Sequence, residues 1–203
     1  MGMPVGPDLR RTPEMAEERV GILALQGDFA LHQAKFTRLG ARVTLVKTID
    51  QLSQIDRLVI PGGESTTMQL LLDKFALRQP VIAFGTEKPV WGTCAGLILL
   101  AREVDDSLIL PLGLIDISAK RNAYGRQVDS FIADGTVTFD QSSSTLEMVF
   151  IRAPKIISYA DSVKPLGYCN GDVVVARQNN ILVTSFHPEL TNQTDVHKYF
   201  LET

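Results

Sequence analysis

A chain of 203 residues with 45 % hydrophobic and 21 % charged side chains is long enough to bury one sizeable core and too short to need two. Its net charge of −3, with lysines and arginines scattered, excludes the basic footprint of a phosphate-contacting nucleic-acid binder. No apolar run reaches the roughly 18 residues of a membrane-spanning helix, and the N-terminus lacks a signal-peptide core, so a soluble, cytoplasmic protein is expected.

Residues 1–19 carry three prolines, mixed charge and little periodicity. They read as an extension outside a single domain spanning 20–203. Val20 to Leu25 is a continuous apolar run, the pattern of a strand covered on both faces. A helix is expected from Ala30 to Leu39, with Ala30, Leu31, Ala34 and Leu39 at helical spacing and Gly40 as its stop. Val43 to Val46 and Leu58 to Ile60 are two further short strands, and a helix opens near Met68. Strands alternating with helices predict an α/β fold with a mostly parallel open sheet.

Between the third strand and that helix stands Pro61-Gly62-Gly63-Glu64-Ser65-Thr66. Adjacent glycines let a backbone aim N–H groups into a cleft at the carboxyl ends of parallel strands, where an oxyanion hole can be built. The plainer reading is a turn in which Ser65 or Thr66 caps the following helix. Next comes Gly92-Thr93-Cys94-Ala95-Gly96, between the apolar run Pro89 to Trp91 and the helix-like Leu97 to Ala101. This has the form of a nucleophile elbow, in which small neighbours leave the cysteine uncrowded above the sheet and the helix start favours a thiolate. Its alternative is a small buried thiol beside an ordinary strand-helix junction.

The second half of the chain reads differently. Ala119 to Val149 holds polar, strand-like stretches, and Asp172 to Arg177 pairs with Ile181 to Ser185 across Asn179-Asn180, so antiparallel strands join the parallel core. Cys169, the other of two cysteines, has no glycine-flanked turn and reads as structural. Two cysteines are too few for a disulfide scaffold.

A nucleophilic thiol needs a base and a group that orients the base. Of the three histidines, His32 and His197 sit in helical segments and read as surface or structural residues, whereas His187 closes a strand pattern in Ser185-Phe186-His187-Pro188-Glu189. In an extended segment residues i and i+2 share a side, which brings Glu189 to the His187 ring. A helix from Asp195 to Leu201 ends the chain. The histidines are too dispersed for a metal site, and no glycine-rich run has dinucleotide-binding spacing.

Together, Pro61 to Met68 (PGGESTTM), Trp91 to Gly96 (WGTCAG), Arg121 to Gln127 (RNAYGRQ) and His187-Pro188-Glu189 resemble the class I glutamine amidotransferases, and within them the glutaminase subunits of pyridoxal 5′-phosphate synthase. The similarity runs in order from about Val20 to Leu201. It implies the flavodoxin-like, three-layer fold of that class, with helices on both faces of the sheet. It also implies hydrolysis of L-glutamine to L-glutamate and ammonia by a catalytic triad of Cys94, His187 and Glu189. The backbone N–H groups of Gly63 and Ala95 are the implied oxyanion donors. Gly63, Glu64, Ser65, Arg121, Ile151 and Arg152 are the implied glutamine-binding residues. The resemblance further implies no cofactor and a (β/α)₈-barrel synthase subunit as the partner that receives the ammonia. A thiol sensor that has lost amide hydrolysis, or a glutaminase of another pathway, are the competing readings. The intact His-Pro-Glu and the Arg121 motif argue against them.

Overall fold

The computed structural model describes residues 18–123 and 130–203. The segment 1–17, and with it nearly all of the expected extension, lies outside the described residues, as do Tyr124 to Gln127 of the arginine motif. The first half alternates as expected: β1 (Arg19–Leu23), α1 (Phe29–Arg38), β2 (Arg42–Val46), α2 (Ile49–Ser53), β3 (Arg57–Ile60), α3 (Ser65–Lys74), α4 (Arg78–Glu87), β4 (Val90–Thr93) and α5 (Ala95–Leu100). Strands dominate thereafter: β5 (Ala101–Val104), β6 (Ile115–Lys120), β7 (Ser130–Phe139), β8 (Ser142–Ile151), β9 (Lys155–Tyr159), β10 (Lys164–Cys169), β11 (Asp172–Gln178) and β12 (Ile181–Thr184). A 3₁₀ turn, Pro188–Leu190, and α6 (Asp195–Glu202) close the chain.

Nine strands form one sheet in the order β2-β1-β3-β4-β12-β11-β10-β7-β8. Pairing is parallel from β2 through β12 and antiparallel beyond it, so β12 is where the two regimes meet. The expected hairpin is present, with Val175 opposite Thr184 and Gln178 opposite Ile181. A second sheet, β5-β6-β9, was not anticipated and covers part of one face.

The apolar run of β1 has its predicted cause. Successive side chains on a strand face opposite ways, and here Val20 and Ile22 enter one core with Phe36 of α1 and Phe200 of α6, while Leu23 enters the other with Leu72 of α3 and Leu97 of α5. Both faces are therefore covered by helices, giving the three-layer α/β architecture. Among the described residues no helix is long and apolar enough to cross a membrane.

Two expectations about helices need correction. α1 lies where predicted, but its buried residues are His32 and Phe36; Ala30, Leu31 and Ala34 face outward. The reason is polar: both ring nitrogens of His32 have inward partners, and Phe36 packs edge-on to Trp91 and Phe200. α3 starts at Ser65, three residues before Met68, and its cap is Glu64 in place of Ser65 or Thr66. The longer carboxylate accepts from Thr66 N (3.1 Å) and Thr67 N (2.6 Å), reaching two first-turn amides that a serine hydroxyl could satisfy only singly. Cys169 is buried, with its Sγ 3.7 Å from the Asp134 carbonyl, and burial beside Asp172 and Asp134 raises its pKa, which keeps it an inert thiol.

Candidate active site

The carboxyl ends of β1, β3, β4 and β12 open on one cleft, as expected for an open parallel sheet. Its cavity, about 240 Å³, is lined by residues of six segments, among them Gln26, Gly63, Cys94, Arg121, Arg152 and His187. That is below the roughly 300–1,000 Å³ typical of sites for drug-sized ligands and suits a free amino acid.

Cys94 occupies the turn between β4 and α5 with φ 47° and ψ −102°, a conformation that a residue with a Cβ adopts only at a cost of order 1–3 kcal/mol. Two features enforce it. Cys94 N–H donates to the Thr184 carbonyl (2.9 Å), extending the β4-β12 ladder one residue past the strand. Gly96 lies so close to β3 that a Cβ there would stand 2.1 Å from the Ile60 carbonyl oxygen, so only glycine lets α5 turn this sharply. The elbow read from the sequence is therefore real. Because α5 has only six residues, its dipole is a minor influence on the sulfur compared with His187.

His187 follows β12, the neighbour of β4. Its backbone N–H donates to the Val149 carbonyl (2.8 Å), and its ring lies against Gly62, where a Cβ would meet Cε1 at 2.4 Å. Nδ1 is 2.7 Å from Glu189 Oε1, and Cys94 lies close enough to the ring to act on its proton affinity. Burial works against the imidazolium, but the bonds to Cys94 and Glu189 and their charges outweigh it and carry the His187 pKa up to about 10. Glu189 is wholly buried; burial opposes its charge, and the imidazoles of His32 and His187 more than reverse this, so its pKa is lowered. Lys35 of α1 donates to the carbonyls of Thr191 and Gln193 and braces the turn that carries the acid.

Around these three residues the remaining expected ones converge. Gly63, Glu64, Ser65, Ala95, Arg121, Ile151 and Arg152 all line the cavity. The Gly62-Gly63 turn is clamped on both sides: the Gly62 carbonyl accepts from Asp28 N–H (3.1 Å), and Gln26 Oε1 accepts from Glu64 N–H (2.8 Å). Arg121 bridges Asp106 (2.5 Å) and Glu64 (3.2 Å), so it is fixed and not a loose surface charge. Arg152, at φ 43°, has no carboxylate partner among the described residues and is available to an anion. The Cys94 thiol points toward the Ile151 carbonyl at 3.8 Å.

Sequence reasoning missed Gln26, Gly27 and Asp28, although their place after β1 was itself a signal. It left open whether His32 and His197 are surface or structural; both are buried, and what it missed is that His32 Nε2 lies 3.3 Å from Glu189 with His197 behind it. Asp28, His187 and Glu189 cluster within reach of a single cation, which sequence spacing did not suggest. The His187 Nδ1 proton, held between ring and carboxylate, stands where such an ion would have to bind.

The cap has a pH signature. Although partial burial opposes its charge, bonds from Thr67 and Thr66 hold the Glu64 carboxyl down at about 2, against an ordinary 4.5. A depressed pKa contributes stability that is present above 4.5 and lost as pH falls from there toward 2. Glu64→Gln is therefore expected to lower unfolding free energy at pH 7 by about 1 kcal/mol or less, the usual cap value discounted for a half-exposed group. Urea titrations across pH 3–7 should show the gap to wild type closing below 4.5; a constant gap would refute the charged cap.

The sequence matches the SNO glutamine amidotransferase family over residues 22–203. It is 48 % identical over 188 residues to the pyridoxal 5′-phosphate synthase subunit PdxT of Solibacter usitatus, covering 91 % of this chain and 98 % of that one. The PdxT of Carboxydothermus hydrogenoformans is 45 % identical over 187 residues, with 91 % and 96 % covered. A crystal structure of a glutamine amidotransferase superposes with TM-score 0.84 at 39 % identity, covering 90 % of this chain and 97 % of the other. PurLQS from Thermotoga maritima shares the fold at TM-score 0.70 and 13 % identity, covering 92 % and 98 %. With a family match running from Ile22 in β1 to the last residue, the chain belongs to the SNO glutamine amidotransferase family.

Proposed function

We propose that this protein is the glutaminase subunit of a pyridoxal 5′-phosphate synthase: it hydrolyses L-glutamine to L-glutamate and ammonia, and the ammonia passes to a (β/α)₈-barrel synthase subunit. The observation that carries this reading is the line Cys94–His187–Glu189 at the cavity, with Nδ1 2.7 Å from Oε1, in a chain of this family.

Cys94 attacks the side-chain carboxamide carbon as a thiolate, giving a tetrahedral oxyanion. Ala95 N–H, in the first turn of α5, and Gly63 N–H receive that charge; loss of one such donor typically costs about 100- to 1,000-fold. Imidazolium His187 then gives its proton to the departing nitrogen, and the C–N bond breaks to leave ammonia and a thioester. The neutral ring next takes a proton from water, which adds to the thioester carbon, and collapse releases glutamate and the thiolate. Glu189 keeps the ring in its Nδ1–H tautomer throughout. Arg152 and Arg121 serve the substrate α-carboxylate, and Glu64, fixed as an anion, serves the α-ammonium. Ser65 and Ile151 complete the wall. Nucleophile, acid-base and oxyanion donors all come from the chain, so the reaction asks for no cofactor. Two free cysteines fit a reducing, cytoplasmic setting.

Glutamate release from L-glutamine, measured alone and with a barrel synthase subunit, tests both halves. Low turnover alone and a clear rise on mixing are expected. No glutamate under either condition would overturn the activity, and no rise with the barrel would overturn the partnership.

A further inference from the structure

Behind the triad, away from the cavity, lies a second pair of imidazoles that the mechanism above does not use. His32 of α1 and His197 of α6 are both fully buried. His32 Nε2 lies 3.3 Å from Glu189 Oε2, the carboxylate oxygen turned away from His187, and 3.4 Å from Thr93 Oγ1. His32 Nδ1 lies 3.1 Å from His197 Nε2. Among the described residues neither Glu189 Oε2 nor His197 Nδ1 has a partner in ordinary hydrogen-bond geometry, which leaves His32 Nε2 as the donor nearest to Oε2 that the contacts give.

These contacts fix where the protons sit. Burial lowers the pKa of both rings, so each carries one N–H. If His32 were protonated on Nδ1, its Nε2 lone pair would face a carboxylate oxygen. With the proton on Nε2 it donates to Oε2, and its Nδ1 then accepts from His197 Nε2–H. The leftover lone pair falls on His197 Nδ1, the ring atom found without a partner. The rings cannot turn to escape this: His32 meets the Trp91 edge at 5.3 Å, and His197 is boxed by Phe36 and Trp91 at 5.0 Å each.

We propose that His32 is a positioning residue for the glutaminase reaction, holding Glu189 through Nε2–H···Oε2 with its tautomer set by His197. The proposal rests on the glutaminase reading for its kinetic effect but not for its proton assignment. A carboxylate held at one oxygen only can swing about its own bond, and each swing tilts His187 away from Cys94. At 3.3 Å the contact is a few tenths of an ångström longer than an ordinary N–H···O bond.

Three substitutions and one spectrum test this. His32→Phe keeps an aromatic ring but no donor, and kcat should fall about 10- to 100-fold, the usual cost of losing a residue that orients a catalytic ligand, while KM for glutamine stays unchanged because His32 does not reach the cavity. His32→Gln, whose amide N–H can stand in for Nε2–H, should restore most of kcat; His32→Asn, too short to do so, should not. Long-range ¹H–¹⁵N correlation spectra of the full chain at neutral pH should show His32 and His197 both neutral with the proton on Nε2. A fully active, folded His32→Phe variant, equal losses in all three variants, or a proton on His32 Nδ1 would each overturn the proposal. If the Phe variant does not fold, the Gln and Asn pair and the spectrum decide. If wild type releases no glutamate, the glutaminase reading fails and the spectrum still tests the proton assignment.

Discussion

Cys94→Ala is expected to lower glutamate release by about 10⁶-fold, the scale on which removing the nucleophile alone disables a triad hydrolase. Synthase subunit should not restore it, since no other thiol reaches the cavity: Cys169 lies on the far strand β10, buried against Asp134. The loss will not come from unfolding. Alanine keeps the Cβ and therefore the same strained φ of 47°, and the Sγ contact to the Ile151 carbonyl is weak at 3.8 Å. Cys94→Gly sharpens the point. Glycine tolerates that backbone, so relief of about 1–3 kcal/mol of strain, less the roughly 0.5–1 that glycine costs through the unfolded chain, should leave this inactive variant slightly more stable than wild type. Turnover surviving in either variant would eliminate the thiolate mechanism; denaturant midpoints of all three proteins test the strain.

Glu189→Gln should cost about 10⁴-fold in kcat, as when the acid of a serine triad is replaced by its amide. The volume is preserved, but an amide can present its NH₂ to Nδ1, which favours the wrong tautomer and leaves His187 unable to act as base toward Cys94. Two of the influences that lift His187 to about 10 also disappear, the hydrogen bond to Glu189 and the negative charge of that carboxylate. Its pKa must then fall, so the alkaline limb of kcat/KM, deferred in wild type toward pH 10, should move toward neutrality. A Glu189→Gln enzyme within tenfold of wild type, or an unmoved alkaline limb, would show that Glu189 does not orient the base. In the proposed mechanism Cys94, His187 and Glu189 act as one unit, so the double variant should be scarcely worse than Cys94→Ala alone.

How far the chain could be read follows from where each signal resides. β1, β3 and the β11-β12 hairpin announced themselves because their neighbours cover them on both faces, which writes burial as an unbroken apolar run. The candidate triad was legible because each part sits in a short contiguous motif whose backbone demand, glycine at 92 and 96 or proline at 188, is visible locally. α4 was not, since Pro80 and Gly85 interrupt its pattern; Pro80 is tolerated in the first turn, and Gly85 lies where the Leu114 side chain packs against the helix. The inward face of α1 was misjudged because histidine counts as polar in any periodicity. Nothing local reveals that a carboxylate and a second imidazole 165 residues away will satisfy His32. The cap at Glu64 was missed for a related reason, a long carboxylate doing what a shorter hydroxyl usually does.

β12, the strand between the two pairing regimes, has a consequence for how the molecule is made. Trp91 of β4 bonds Thr184 of β12, 93 residues later in the chain. As the polypeptide leaves the ribosome, the parallel strands through β4 are complete while the place of β12 is still empty, so β4 waits as an apolar edge with open backbone groups. The nascent chain carries a cysteine elbow without a base, chemically idle but prone to sticking. Closing that long loop is therefore the step at which refolding from denaturant should be slowest and most sensitive to protein concentration, and the thiol gains its partner only when the sheet loses its edge.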